Sequence, residues 1–155
     1  MRHRVTMGDY IRRRNGVPLG APGGLRNMFY RALGARSFAV FWQYWNPLFG
    51  YALGRYVFAP AKRVLPPALA LVLTFVVCGA VHDLVTVLVR GGTTFLFTLW
   101  FFFLALGVVA GRLARMDLGR FPWAVRAAAN LIYVGVCLGS AVLVRSHLLV
   151  AVVSA

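Results

Sequence analysis

The sequence predicts an all-α integral membrane protein, with about three transmembrane helices preceded by amphipathic helices at the membrane interface. Three observations predict it. The chain is 155 residues long and 61% hydrophobic, and its only acids are Asp9, Asp83 and Asp117, which is too apolar for a soluble domain of this length. Its apolar residues fall in three long blocks, "ALALVLTFVVCGA" (68–80), "TTFLFTLWFFFLALGVVAG" (93–111) and "AAANLIYVGVCLGSAVLV" (127–144). Its basic residues alternate in number across those blocks.

Residues 1–24 read as a basic, flexible arm: Arg2, Arg4, Arg12, Arg13 and Arg14 are followed by the Gly/Pro-rich run "NGVPLGAPGG". A signal peptide would have an apolar stretch in that place. The run has no Lys followed by Ser or Thr, so it is no phosphate-binding loop. Residues 25–155 read as a single membrane domain. Within it, residues 25–63 are amphipathic and rich in Trp, Tyr, Phe and Arg. Aromatic rings with a polar atom favour the headgroup level, and arginines there extend toward water. One or two interfacial helices are expected. Pro47 biases Asn46 away from helical geometry, so a helix starting at Pro47 would have Asn46 as its N-cap.

Spans are expected at about 65–89, 93–111 and 126–144, the last open to extension through "HLLVAVVSA". Each is long enough to cross roughly 30 Å of hydrocarbon at about 1.5 Å per residue. Eight arginines precede Ser37, and Lys62 and Arg63 sit just before the first span. Arg90 is alone after it, Arg112, Arg115, Arg120 and Arg126 fill the next loop, and Arg145 is alone at the end. By the positive-inside rule the N-terminus is cytoplasmic and the C-terminus outside. The expected location is a bacterial plasma membrane. The net charge of +14 then serves anionic lipid headgroups rather than nucleic acid. Cys78 and Cys137 both fall inside spans, so no structural disulfide is expected, and no metal-ligand spacing appears.

His82 and Asp83 interrupt the first span. A charged residue there costs on the order of 3 kcal/mol and usually faces a bundle interior or a water-filled cavity. Thr74, Cys78, His82 and Thr86 recur every four residues, one polar stripe on a helix. Gly79 leaves room beside it for a backbone or a ligand. Asn130 and Ser140 in the third span have the character of residues that bond across helices. His3 and His147 read as arm and interfacial residues.

Over residues 26–89 the chain resembles the membrane-bound O-acyltransferase (MBOAT) superfamily. "ARSFAVFWQYWNPLFGYALGRYVFAP" is similar to the family's S-x-x-x-F-W-x-x-W-N/H segment with its following R-x-x-x-x-P. "LTFVVCGAVHDLV" is similar to the F-L-x-S-G/A-x-x-H-E helix of the sterol, diacylglycerol and wax-ester-forming branches. Cys78 stands where Ser or Ala is more usual, Asp83 where those branches have Glu, and Gln43-Tyr44 replaces an often basic pair. The resemblance is to the C-terminal catalytic-core region, without the helices that precede it in the family. It implies a catalytic His82, with Asn46 orienting the reacting groups, and substrate contacts from Trp42, Trp45, Asp83, Arg55, Lys62 and Arg63. It also implies acyl-CoA as co-substrate, no other cofactor, no metal and a hydroxyl acceptor, with Lys62, Arg63, Arg112 and Arg115 facing the CoA phosphates. Expected partners are membrane lipids and either further copies of the chain or a larger membrane protein. A noncatalytic subunit that lends its helices to a larger complex is the rival reading. A proton or ion path along Thr74, His82 and Asp83 is a third.

Overall fold

The computed structural model describes residues 5–153, with side chains described through His147; His3 and the last two residues of the expected extension lie outside that range. The described residues form helices and no strand. They are α1 (Met7–Asn15), α2 (Gly24–Leu33), α3 (Phe38–Tyr44), α4 (Pro47–Leu53), a π-helical turn (Gly54–Phe58), α5 (Ala59–Ala61), α6 (Pro67–Arg90), α7 (Leu96–Leu113) and α8 (Trp123–Val153). Three of them, α6, α7 and α8, are long and apolar enough to cross a membrane. α6 and α7 begin and end within a few residues of the expected spans, and α8 begins three residues before its expected start and runs on into the expected extension. Gly91 closes α6 in the left-handed region, φ 75°, and turns the chain antiparallel into α7.

The three long helices pack around Leu71, Leu104, Ala105, Val108, Tyr133 and Cys137. Small residues set the close approaches. A Cβ on Gly79 would stand 2.6 Å from the Phe97 carbonyl oxygen, so α6 and α7 meet backbone to backbone there. Gly107 makes the same allowance for the Tyr133 ring between α7 and α8. Lys62, Arg63 and the Arg112–Arg126 loop share one end of this bundle, called the basic end below.

Residues 7–15 differ from the arm expected of residues 1–24: they form a docked helix. Thr6 caps it by accepting from the Asp9 N–H, and Arg12, Arg13 and Arg14 fill its last turn, where cations complement the helix dipole. The Thr6 hydroxyl donates back to the Asp9 carboxylate at 2.6 Å, and that bond holds the Asp9 pKa below its ordinary value. Ile11 is 1% exposed. Arg14 donates to the Gln43 side chain (2.7 Å) and Arg31 to the Arg14 carbonyl. The Gly/Pro-rich composition that suggested an arm begins only where α1 ends, at Gly16.

In the aromatic segment, α3 packs among the long helices. Trp42 meets Phe75 of α6 and Phe101 of α7, with ring centroids 5.1 and 6.0 Å apart. Phe75 lies about 12 Å along α6 from its first residue, at about 1.5 Å per residue. Trp42 Nε1 donates to the Tyr133 hydroxyl, which donates in turn to the Leu104 carbonyl at 2.6 Å. Asn130, fully buried, donates from α8 to the Leu33 and Ala35 carbonyls and so anchors the α2–α3 corner. Ser140 bonds only within α8, to the Val136 carbonyl.

Candidate active site

The turn between α3 and α4 is built by Asn46. Its backbone adopts φ 40°, and its side-chain oxygen accepts from the Phe49 N–H at 3.3 Å, with Pro47 as the first helical residue. This is the cap that the Asn-Pro pair predicted. Asn tolerates the left-handed region better than most residues do. Because the side-chain oxygen is spent on the cap, the amide N–H2 is the group left for other partners.

Asn46 and His82 line one cavity of about 270 Å³. Trp42, Trp45 and Phe49 line it from the aromatic segment. Thr74, Cys78 and His82 line it from α6, Phe101 and Arg112 from α7, and Tyr10 from α1. The stripe read from the sequence therefore faces this space, except that Thr86 lies beyond it and donates to the His82 carbonyl. Thr74 donates to the Ala70 carbonyl, which satisfies its hydroxyl within α6. From Phe101 to Arg112 the cavity follows α7 for roughly 16 Å toward the basic end.

His82 is positioned by three aromatic rings and one hydrogen bond. Its ring lies 6.1 Å from Phe49, 5.6 Å from Phe97 and 5.1 Å from Phe101, centroid to centroid. Nδ1 sits 2.7 Å from the Cys78 carbonyl oxygen. A carbonyl can only accept, so Nδ1 carries the proton. In the neutral ring the lone pair is then on Nε2, which has no hydrogen bond among the described residues. A neutral imidazole fixed in this tautomer accepts a proton at one defined atom.

The other expected site residues are placed differently. Asp83, 3% exposed, does not line the cavity. Its two oxygens accept from the Thr93 hydroxyl (2.7 Å), the Phe97 N–H (3.4 Å), the Thr98 N–H (2.8 Å) and the Thr98 hydroxyl (2.6 Å). It joins α6 to the open N–H groups at the start of α7, a structural bond in place of the expected substrate contact. Neighbouring residues on a helix point about 100° apart, which is why His82 and Asp83 face different ways. Lys62 is exposed and lines neither cavity described here, and the same holds for Arg115.

Arg55 and Arg63 line a second, more open cavity of about 520 Å³ with Val5, Tyr51 and Ala59. Tyr10, Gly50 and Gly54 line both cavities. Arg55 donates to the Tyr51 hydroxyl at 2.8 Å and lies near the Tyr51 and Tyr56 rings. The Tyr51 bond, with both tyrosines adding, raises the Arg55 pKa further and keeps the guanidinium charged. Sequence reading did not single out Tyr10 or Gly54. Tyr10 was hidden by the arm assignment, and Gly54 carries no side chain to notice. No metal-ligand cluster occurs among the described residues.

No family model, curated protein or solved structure matches the chain.

Proposed function

We propose that this chain is a membrane O-acyltransferase of the MBOAT kind, which moves an acyl group from a thioester such as acyl-CoA to a hydroxyl acceptor. One observation carries the reading: the tautomer-fixed His82 and the free amide of Asn46, 36 positions apart in the sequence, line the same largely apolar cavity.

The mechanism follows from those groups. The acceptor hydroxyl attacks the thioester carbonyl carbon while His82 Nε2 takes its proton. The carbonyl oxygen gains negative charge in the tetrahedral intermediate, and the Asn46 amide N–H donates to it. When the intermediate collapses, the carbon–sulfur bond breaks. The thiolate takes the proton from the imidazolium, so an ester and a free thiol leave and His82 returns to neutral. The aromatic walls of Trp42, Trp45 and Phe101 exclude water, which would otherwise compete as acceptor. Arg112, at the basic end of the cavity, faces the polyanionic part of the donor. On this reading the basic end is cytoplasmic by the positive-inside rule.

The test is thiol release from acyl-CoA by the purified protein in lipid nanodiscs, with a panel of hydroxyl acceptors. Release that depends on acceptor, with ester formed in equal amount, supports the reading. Absence of release with every acceptor favours the noncatalytic subunit instead.

A further inference from the structure

α1 forms part of the wall of the His82 cavity through a small contact. Of its nine residues only Ile11 and Asn15 are buried, and only Tyr10 lines the cavity. The Tyr10 ring lies 5.6 Å from the Tyr51 ring of α4. Arg14, one turn on, places its guanidinium 5.2 Å from the Tyr10 centroid. It also donates at 2.7 Å to the side chain of Gln43, a wall residue of the same cavity. A guanidinium can only donate, so the Gln43 oxygen is the acceptor. Arg14 therefore clasps Tyr10 to α3.

The C-terminal end of α1 is tied down separately. Asn27 donates to the Asn15 carbonyl at 3.2 Å, and Arg31 to the Arg14 carbonyl at 3.1 Å. Gly16 follows with φ 82°, a region that glycine enters without steric cost. The other end is shallow: Val5 and Met7 are 40% and 42% exposed. The Thr6–Asp9 cap lies within this N-terminal segment, so the helix can move as one piece without losing it. Few buried apolar contacts mark the parts of a fold that open first, and closures of this kind pivot on a few residues at the end of an element.

We propose that α1 is a lid on the His82 cavity, hinged at Asn15–Gly16 and latched by Arg14 through Tyr10 and Gln43. Opening takes Tyr10 out of the wall and exposes the cavity; closing restores the wall. The lid stands apart from the acyl-transfer reading, because its test needs no turnover.

The protein carries both a reporter and a control. Cys78 lines the cavity, whereas Cys137 lies in the core among the long helices. The experiment is the rate of N-ethylmaleimide labelling of the full-length protein in lipid nanodiscs. Cys137→Ala leaves Cys78 as the reporter, and Cys78→Ala leaves Cys137 as the control. Arg14→Ala should speed Cys78 labelling roughly tenfold, the factor by which loss of one charge-assisted hydrogen bond shifts an opening equilibrium. Ile11→Ser, which weakens docking and leaves the latch intact, should act in the same direction. Arg14→Ala removes no core side chain, so the test stands if Ile11→Ser folds poorly. Arg12→Ala removes the same charge from a side chain with no hydrogen bond among the described residues. It should change the rate less than about threefold, the range of an ordinary surface substitution. Cys137 labelling should stay within the same range in all three variants. Acceleration at Cys78 alone by Arg14→Ala supports the lid. Cys78 labelling unchanged by Arg14→Ala overturns it. So does an equal effect of Arg12→Ala, since net charge then suffices, and so does a parallel rise at Cys137, which reports general loosening of the bundle.

Discussion

Replacing Asp83 with Ala should loosen the outer joint between α6 and α7 without touching the cavity surface. The magnitude follows from what its carboxylate holds. The Thr98 N–H, at 2.8 Å, belongs to the first turn of α7, where N–H groups have no partner within the helix. Left unpaired away from water it costs about 1–3 kcal/mol. The Phe97 N–H, at 3.4 Å, is a weaker bond and adds less. The two threonine hydroxyls can rotate toward backbone carbonyls, so their loss is partly recovered. The sum is about 2–4 kcal/mol, a large share of the stability of a chain this size. Reversible unfolding in mixed micelles, driven by added dodecyl sulfate and followed by tryptophan fluorescence, measures it. Thr98→Ala completes a double-mutant cycle, with a coupling of about 0.5–3 kcal/mol expected for residues in direct contact. A change below about 0.5 kcal/mol for Asp83→Ala, the range of an ordinary surface substitution, would refute the reasoning, and so would a coupling near zero.

Tyr133→Phe removes the hydroxyl that links Trp42 to α7; the orphaned Trp42 N–H should cost about 1–3 kcal/mol, read in the same unfolding assay. Asn46→Ala should lose about 0.5–2 kcal/mol of helix capping plus activity, whereas Asn46→Gly keeps the left-handed turn. Equal loss of turnover in both variants, at matched folding, assigns the activity effect to the amide rather than to the backbone. Topology is checked by single cysteines placed in a background lacking Cys78 and Cys137. Leu118→Cys should label only from the cytoplasm and Gly91→Cys only from outside, and the reverse pattern inverts the orientation proposed here.

The long helices were legible because membrane span length is written directly in uninterrupted apolar sequence. The Asn46 cap was legible because Asn-Pro constrains both its own backbone and the helix that follows. The docking of α1 was not, since nine residues with three adjacent arginines show no long apolar face; burial of Ile11 and the Arg14–Gln43 bond arise only when α3 is folded. Asp83 was misleading for a related reason. Its partners, Thr93 and Thr98, lie across a turn, and a polar pair such as His82-Asp83 suggests a joint role until helix geometry turns the two residues to different neighbours. The cavity itself brings together α1, α3, α4, α6 and α7, so the shared position of Tyr10, Asn46, His82 and Arg112 is a property of packing.

The central claim is that His82 Nε2 takes the acceptor's proton. It is tested most directly by following thiol release from acyl-CoA, with a working acceptor, for wild type and His82→Ala at equal amounts of folded protein. Loss of about 10²–10⁴-fold in rate, the usual contribution of a positioned general base, is the predicted result. A His82→Ala variant that turns over as fast as wild type contradicts it.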